Sequence, residues 1–575
     1  DDLVASGMTE EDAFDKVTRD KIGDLQKLAG EYHKAKSTSS SPTPKFSRSL
    51  TTNFVRVAIR NIIKNRPHSF INLAGLAIGL ASVIIISVYV YSELSFDRFH
   101  ADNNRIFRLM NKIVRGDSEL KYPQGPPALA PALASNFPEI EYATRMRYAD
   151  RPLLQYDEKT FYEDHAFYAD SSFFKIFDFD LIEGNRLTAL NRPNAVIISE
   201  STAKKYFGNG DAINKTLLLE GDRPLLVTGI IKDVPHHSHL YFDVLISFQT
   251  YVVPEGYLEN LDSWAWMGFV TYAKTVEGVD IKPLEQKIAD KYKSSDKRLE
   301  QMNLTVVMQR LPDIYLGSSD LSNPNNIFRG NSYTTLYSLM SVGILIILIA
   351  SFNYVNLSIA MAMSRFKEIA MRKVLGSTKG KLVLQFIMES VLYALIALVV
   401  AVVIVIAGQQ IFPGEISSRL VLDGRSLMLY SLALVSFVCL IGIISGVFPA
   451  LRLSSITSLD LLKGTFTLKG GNLRNVLIGF QFALSAGLVA ISLIIGKQIE
   501  FFSNKSMGFV KDGIVSINIS SDQVEGRTMP LQNQLRNNTD VTAITLTSHI
   551  MGEGLSGGPL RLREQQAEDA VQMAY

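Results

Sequence analysis

The sequence SRFKEIAMRKVLGSTKGKL, residues 364–382, is a short basic segment between two long apolar runs. Lysine and arginine in excess in a short loop between membrane spans mark the cytoplasmic side. Glu368 is the only acidic residue here. The six basic residues are Arg365, Lys367, Arg372, Lys373, Lys379 and Lys381. The segment therefore predicts a membrane protein in which this loop faces the cytosol.

The first half of this segment has the pattern of a two-faced helix. Residues at spacings of three, four and eight positions share one face of a helix. The apolar face consists of Phe366, Ile369, Ala370 and Val374, and the charged face of Arg365, Glu368 and Arg372. Gly376 follows where a glycine commonly ends a helix. The pattern predicts a short cytoplasmic helix that ends near Gly376.

Five apolar runs are long enough to cross a membrane of about 30 Å at about 1.5 Å per residue. They are residues 70–91, 336–361, 386–411, 427–450 and 476–496. Glu389, near the start of the third run, is their only acidic or basic residue. A charge in lipid is costly, so we expect Glu389 at the interface or against another helix. The single cysteine, Cys439, lies in the fourth run and excludes an intrachain disulfide.

The charges that flank these runs predict their orientation. Residues 45–69 carry basic residues and no acidic ones, the loop 412–426 is neutral, and the stretch after the fourth run is basic again. This alternation predicts a cytoplasmic amino terminus and spans that cross in turn. A juxtamembrane amphipathic helix is expected at 54–69. Its membrane-interface residues are Arg56, Arg60, Lys64 and Arg66.

The stretch between the first two apolar runs has the composition of a folded domain. Short apolar runs at 195–199, 216–220 and 225–231 predict strands, and 200–207 has a helical pattern. About 240 residues are ample for an independent core. The sequence predicts an α-helical transmembrane protein with a large α+β domain outside the membrane.

The complete predicted order follows from these patterns. It is a cytoplasmic helical prefix (1–36), a linker (37–53), the juxtamembrane helix (54–69), span one (70–91), the α+β domain (92–333), span two (336–361), the basic segment (364–382), span three (386–411), an outer loop (412–426), span four (427–450), a cytoplasmic linker (451–475), span five (476–496) and the start of a second outer domain (497–575). A coarse repeat of basic stretch, span and outer segment supports the second domain. Both ends have the appearance of fragment ends.

Three motifs were weighed as sites of chemistry. The run GSTKGK at 376–381 lacks the spacing of a phosphate loop, and Leu382 replaces the hydroxyl residue such a loop needs. His236, His237 and His239, between Asp233 and Asp243, allow a metal site, but a turn with exposed histidines is the favoured alternative. Trp264 and Trp266 would share one strand face, where packing is favoured over ligand contact. No catalytic motif remains.

Seven motifs, in register, carry a resemblance to a known family. They are RNIIKNRPHSFINLAGLAIGLA (60–81), SFDRFHADNNRIFRL (95–109), ADSSFFKIFDFDLIEGN (169–185), ISESTAKKYFG (198–208), VTGIIKDVPHHSHLYFD (227–243), RFKEIAMRKVLGS (365–377) and FPALRLSSI (448–456). In these the chain resembles FtsX-like, MacB-type permease subunits of ABC transporters, of the double-length kind. The resemblance implies a MacB-type periplasmic core domain within the α+β domain.

The resemblance also implies a mechanism and partners. A permease of this kind is not an enzyme and holds no cofactor; a separate ABC ATPase binds ATP and Mg²⁺ and drives movement of the outer domains. The expected ATPase-coupling residues are Arg365, Phe366, Glu368, Ile369, Arg372, Lys373 and Gly376. Without the resemblance, a loop that touches anionic lipid headgroups is an equal alternative.

Location and substrate follow in the same way. The resemblance implies a multi-pass protein of the bacterial inner membrane that contacts lipids, a periplasmic adaptor or an outer-membrane component, and no nucleic acid. The implied activity is export or extraction of a lipoprotein, peptide, lipid or antimicrobial compound. The alternative is an FtsX-like regulator that activates an envelope enzyme or senses a ligand.

Overall fold

The computed structural model describes most of the domain and the apolar helices. The described residues are 60, 66–115, 118–251, 261–264, 266–296, 299, 304–319, 321, 328–364, 371, 377–411, 424–454, 471–505, 513–517, 528–547, 557–560 and 571–574.

Five of the described helices are long and apolar enough to cross a membrane, by length and composition. They are α1, α7, α8, α9 and α10 of the following set. The helices are α1 (Arg66–Leu94), α2 (Leu129–Asn136), α3 (Phe173–Ile176), α4 (Glu200–Phe207), α5 (Ile281–Ser295), α6 (Leu311–Ile314), α7 (Tyr333–Ser364), α8 (Lys379–Ile411), α9 (Gly424–Ser454), α10 (Gly471–Asn504) and α11 (Thr528–Arg536).

Each long helix extends beyond the apolar run that predicted it. Residues 379–382, expected in the basic segment, form the start of α8, and α10 continues through the expected start of the second outer domain at 497. Hydropathy marks the part of a helix that lipid surrounds, whereas backbone hydrogen bonds continue the helix into the polar interface.

The strands of the extracytoplasmic-type domain lie between α1 and α7. They are β1 (Ile106–Arg115), β2 (Ser118–Tyr122), β3 (Gln124–Gly125), β4 (Ile140–Tyr148), β5 (Leu153–Tyr156), β6 (Lys159–Tyr162), β7 (Ala166–Ala169), β8 (Leu181–Gly184), β9 (Ala195–Ser199), β10 (Thr216–Leu219), β11 (Arg223–Ile231), β12 (Val244–Ser247), β13 (Phe269–Thr275) and β14 (Leu304–Arg310). A separate hairpin pairs β15 (Gly557–Leu560) with β16 (Val571–Ala574). The predicted strand 195–199 and helix 200–207 are confirmed.

One mixed sheet organises the domain. Its strand order is β14-β1-β13-β4-β7-β12-β9-β11-β10-β5-β6, with β2, β3 and β8 added at β1, β13 and β11. Parallel pairing occurs between β12 and β7 and between β11 and β9. Helix α4 follows β9 and begins at Ser199, whose side chain accepts a hydrogen bond from the backbone N–H of Thr202. The predicted α+β domain is confirmed.

Three hydrophobic clusters hold the helices against this sheet. Helices α2 and α5 bury Leu133 and Ile288 against β1 and β14. Helix α4 buries Tyr206 against the strands around β11. The third cluster is rich in aromatic rings, and its centre contains Phe173, Phe177, Phe179, Phe242 and Tyr272. Burying a large side chain contributes about 1.5–3 kcal/mol, so these contacts make the domain rigid.

The chain divides into two compact units. The first comprises Asp1–Ala74, Tyr354–Ile396 and Val435–Lys469, and the second comprises Gly75–Asn353, Ala397–Leu434 and Gly470–Tyr575.

Polar contacts and close helix packing occur within the first unit. The hydroxyl of Tyr354 donates to Ser390 Oγ over 2.9 Å. A Cβ atom added at Gly446 would lie 2.7 Å from the same Ser390 Oγ. Glu389, expected at the interface or against another helix, is only 9% exposed. Helices of this unit therefore pack through small and polar residues, as is common in membranes.

In the second unit, two glycines let α1 approach α7. Gly75 and Gly79 are four residues apart on α1, the spacing of a helix-packing motif in membranes. A Cβ atom at Gly79 would lie 2.8 Å from the Cβ atom of Ala350, and one at Gly75 would lie 3.1 Å from Asn353 Nδ2. The absence of side chains at these positions is what permits the contact.

We expect Gly79→Val to separate α1 from α7 and to destabilise the protein by about 1–3 kcal/mol, the usual cost of overpacking. Gly487→Val is the matched control, because a Cβ atom at Gly487 meets nothing within 4 Å. Both changes replace a glycine in a long helix by the same residue. Thermal unfolding in detergent measures the difference. Equal melting temperatures for the two variants would contradict the packing role of Gly79.

Candidate functional site: the joint after the first membrane helix

The end of α1 is fixed to the residues that lead into α7. Glu93, in the last turn of α1, is 1% exposed. The Tyr315 hydroxyl donates to Glu93 Oε2 over 2.9 Å, and Asn331 Nδ2 donates to the same oxygen over 2.6 Å. Tyr315 follows α6 directly, and Asn331 stands two residues before α7. One buried carboxyl group therefore links both membrane helices at the edge of the domain.

An aromatic stack adjoins this carboxyl group. The rings of Phe96 and Tyr315 have centroids 3.4 Å apart and planes inclined by 9°. Phe96 is 3% exposed, and Leu336 near the start of α7 packs in the same cluster. The stack keeps the Tyr315 hydroxyl in place beside Glu93.

Asp97 connects the turn after α1 to a loop far away in the sequence. It is fully buried, and its φ of 58° lies in the left-handed region, which aspartate adopts more readily than most residues. Its N–H donates to the His237 carbonyl over 2.8 Å, and its Oδ1 accepts from Ser238 Oγ and the His239 N–H over 3.2 Å and 3.1 Å. His239 Nδ1 lies 2.9 Å from Asp97 Oδ2.

A line of buried polar groups continues from this pair into the sheet. His239 Nε2 lies 2.8 Å from the Tyr272 hydroxyl, which in turn contacts the guanidinium of Arg108. Arg108 is 1% exposed, and its Nη2 donates to Gln309 Oε1 and Ser318 Oγ, each over 2.7 Å. Because an arginine only donates, the Tyr272 oxygen accepts from it and its hydroxyl hydrogen is free for His239 Nε2.

We call this constellation the joint. It comprises Glu93, Phe96, Asp97, His239, Tyr315 and Asn331. Its members come from the last turn of α1 and the turn after it, from the loop before β12, and from the segment between α6 and α7. Leaving a buried hydrogen-bonding group unsatisfied typically costs about 1–3 kcal/mol, so the joint resists separation of its parts.

His100 is buried beside the joint. Its Nδ1 accepts from the Asp178 N–H over 2.9 Å, and its ring contacts Phe99, Phe177 and Phe179. Burial is the main reason that the pKa of His100 is lowered to about 4, and His239 and Arg186 also lower it. The charges of Asp97 and Asp178 act in the opposite direction and raise it. The imidazole is therefore neutral in the folded domain.

The histidine cluster does not have the form that its sequence predicts. His236 is exposed and His237 is half-buried, but His239 is fully buried against Asp97. The expectation of exposed histidines is therefore wrong at His239, because a buried carboxyl group recruits it. Across the residues that the structure describes, no group of three potential ligands is placed to hold a metal ion.

The two tryptophans pack, but not on one face. Trp264 meets Tyr292 of α5, with ring centroids 5.3 Å apart, whereas Trp266 meets Phe269 at 4.9 Å. Both residues precede β13 and lie outside any strand, so the shared-face prediction is wrong. The chain path, and not strand alternation, sets their directions.

Most of the coupling and interface residues predicted from the sequence lie outside the described residues. Arg365, Phe366, Glu368, Ile369, Arg372, Lys373 and Gly376 all do, as do Arg56 and Lys64. Arg60 is helical and exposed, and Arg66 begins α1. Sequence reasoning missed Glu93, Asp97 and Arg108 as site residues. The available signal was that Asp97 and His239 stand in two of the quoted motifs.

We expect the stability of the protein to fall as the pH decreases from about 6.5 to about 4. The pKa of His100 is lower in the folded chain than in the unfolded one, so the unfolded state binds a proton first. The contribution of neutral His100 to the free energy of unfolding is fully present above about pH 6.5 and amounts to about 3 kcal/mol at most. Thermal unfolding at about pH 7.5 and about pH 5 measures it.

His100→Gln should reduce this pH dependence, because it removes the group that titrates. His236→Gln is the control, since His236 is exposed and should leave the dependence unchanged. The same loss of stability at low pH in both variants would show that His100 is not its source.

Two family models match the chain. The MacB-like periplasmic core domain matches residues 69–291, and the FtsX-like permease C-terminal matches residues 340–458. Between them they cover most of α1, the sheet apart from β14, most of α7, and all of α8 and α9.

Individual proteins are similar at lower levels. An uncharacterized ABC transporter permease, YknZ of Bacillus subtilis (strain 168), is 25% identical over 295 residues, which are 50% of this chain and 64% of YknZ. The macrolide export ATP-binding/permease protein MacB of Acinetobacter baylyi (strain ATCC 33305 / BD413 / ADP1) is 24% identical over 260 residues, 44% of this chain and 35% of that protein. The chain thus spans less than two thirds of the length of each of these relatives.

Two solved structures resemble the domain. A domain of a putative permease protein from Porphyromonas gingivalis has 25% identity and a TM-score of 0.32, and covers 37% of this chain and 94% of its own. The extracellular domain of the noncanonic ABC-type transporter YknZ from Gram-positive bacteria has 15% identity and a TM-score of 0.27. The match covers 35% of this chain and 99% of that domain. With the two family models and the five apolar helices, the chain belongs to the FtsX-like, MacB-type permeases of ABC transporters.

Proposed function

We propose that this permease transmits the movement of a separate ABC ATPase to its extracytoplasmic domain, in the bacterial inner membrane. ATP and Mg²⁺ bind to that partner chain, and this chain catalyses no reaction. The transmitted movement drives export or extraction of a lipoprotein, peptide, lipid or antimicrobial compound. The macrolide export named for the MacB relatives supports a substrate of the last kind.

The observation that carries the proposal is the joint. A displacement of α1 that left the domain behind would separate Glu93 from Tyr315 and Asn331, and Asp97 from the loop that holds His239. Each separation breaks hydrogen bonds to a buried carboxyl group, at a cost of about 1–3 kcal/mol. The cheaper response is for the domain to move with the helix.

A push on the membrane helices needs a place of contact with the ATPase. The basic segment 364–382 follows α7 directly, and α7 enters the joint at its other end through Asn331 and Ser332. A force at this segment would reach the domain along one continuous helix of 32 residues, about 48 Å at 1.5 Å per residue. The charged face of the segment supplies the contact that such a force requires.

We expect Tyr315→Phe to weaken transmission while the protein stays folded. The variant keeps the stack on Phe96 but removes the hydrogen bond to Glu93. Hydrogen exchange with and without ATP, in complex with the ATPase, measures the movement. The ATP-dependent difference should decrease in the domain peptides and persist in the membrane helices.

Tyr148→Phe is the matched control for this experiment. Its hydroxyl donates to the Asp164 carbonyl over 3.0 Å at an exposed site remote in sequence from α1. The control should keep the ATP-dependent difference of the original chain. A Tyr315→Phe protein with an unchanged difference would remove the joint from the transmission path.

We expect Glu368→Lys and Arg372→Glu to release the ATPase without unfolding the permease. The two residues are four positions apart in the sequence, one turn of the helix that the sequence predicts, and such a pair contributes only about 0.3–0.5 kcal/mol. At a docked interface a reversed charge costs several times more. Co-purification of the ATPase and melting temperature are the two measurements.

Lys381→Glu is the control for charge alone. It reverses a basic residue of the same segment that is exposed at the start of α8, beyond the predicted helix. Retention of the ATPase by this control and its loss in the other two variants is the expected pattern. If all three variants bind the ATPase normally, the segment serves membrane topology only and the docking proposal fails.

A further inference from the structure

A cavity beside the joint is lined by positive and hydroxyl groups. Its volume is about 360 Å³, within the usual range for small-ligand sites. The polar part of the lining comprises Arg108, Ser318, Ser319, Arg329, Asn331 and Ser332. Among the described residues that line it, none carries a carboxyl group. The described part of the wall therefore contains two guanidinium groups and no carboxyl group.

Neither arginine has an acidic partner among the described residues. Arg108 donates through Nη2 to an amide and a hydroxyl oxygen, and its Nε has no hydrogen-bond partner. Arg329 is half-buried; its Nη1 donates to the His236 carbonyl over 3.2 Å, and its guanidinium lies 4.2 Å from the centre of the Tyr241 ring. Among the described residues, the hydrogen bonds of both guanidinium groups go to neutral acceptors.

Burial makes the uncompensated charge of Arg108 expensive. The side chain is 1% exposed, and desolvation lowers the pKa of its guanidinium, with partial relief from Tyr272 and Asp97. A nearby anion would favour the charged form and offset that penalty. The buried carboxyl groups of the joint already accept hydrogen bonds, Glu93 from Asn331 and Asp97 from the His239 N–H.

The start of α7 adds to the positive character of this cavity. Ser332 Oγ accepts from the Thr335 N–H over 3.1 Å, as an N-cap residue does, and Ser332 lines the cavity. The amino terminus of a helix of 32 residues carries a partial positive charge. Two guanidinium groups, hydroxyl donors and a helix amino terminus together are the features that bind phosphate groups in proteins.

We propose that this cavity binds an anion of the phosphate class, held by Arg329, Ser319 and Ser332 over the buried charge of Arg108. Free phosphate and the headgroup of an anionic phospholipid share this chemistry. The cavity adjoins the start of a membrane helix, so a headgroup can reach it from the membrane surface. The inference concerns binding alone and does not depend on transmission.

Two variants of the full chain in detergent test the proposal. Arg329→Gln removes a cation from the wall, with Arg192→Gln as the control at an exposed site elsewhere in the domain. Ser319→Asp puts a carboxylate in the wall at an exposed position, so packing is preserved even if Arg329→Gln folds poorly. Its control is Asn209→Asp, which adds the same charge in an exposed turn.

Titration calorimetry with inorganic phosphate measures the first source of ligand. Native mass spectrometry after exchange into phosphatidylglycerol or phosphatidylcholine measures the second. We expect saturable binding of phosphate, or selective retention of phosphatidylglycerol, that is weakened about tenfold or more in Arg329→Gln and Ser319→Asp and unchanged in both controls.

Each result has a definite meaning. Loss of phosphate binding alone identifies a soluble anion, and loss of phosphatidylglycerol retention alone identifies the lipid headgroup; either supports the site. Absence of binding of both probes, or equal binding by the variants and their controls, overturns the proposal. Because no ATPase is present, these results are independent of the coupling tests.

Discussion

The joint depends on a single constraint, which is that the carboxyl group of Asp97 has been taken out of water. A buried carboxyl group is tolerated only when its oxygens find donors. Here the donors are the Ser238 hydroxyl and the His239 N–H, and the His239 imidazole packs beside the second carboxyl oxygen. Since both donors belong to consecutive residues of one loop, the loop has to keep its conformation for the carboxyl group to stay satisfied.

The backbone at Asp97 serves the same constraint. With φ at 58°, the chain turns sharply after α1, and the N–H of Asp97 points to the His237 carbonyl. Most residues other than glycine pay for this conformation, and a structure keeps it only where the surroundings over-determine it. The turn and the loop therefore specify each other, and the direction in which α1 enters the domain is fixed.

Periodicity and hydropathy predicted the segments of this protein better than their contacts. Strand 195–199 and helix 200–207 follow from short-range patterns of apolar and polar residues. The pairing of Asp97 with His239 spans 142 residues, and no local pattern encodes it. For the same reason the sequence of the histidine group predicted a metal site or an exposed turn. Its buried member, His239, instead packs against the carboxyl group of Asp97, which is distant in the sequence. The ends of α8 and α10 were missed because hydropathy measures lipid contact and not helix length.

The two membrane helices at the joint are connected at two levels, and this determines how they can move. Inside the membrane Gly75 and Gly79 bring α1 against α7, and at the domain edge Glu93 and Asn331 bring their ends together. A pair held at one level can pivot, whereas a pair held at two levels about 20 Å apart, the rise of 14 residues, moves as one body. Relative sliding would break close packing and a buried hydrogen bond at once. We propose that the permitted motion is a tilt of the pair together, and that a domain attached through Asp97 and Tyr315 tilts with it.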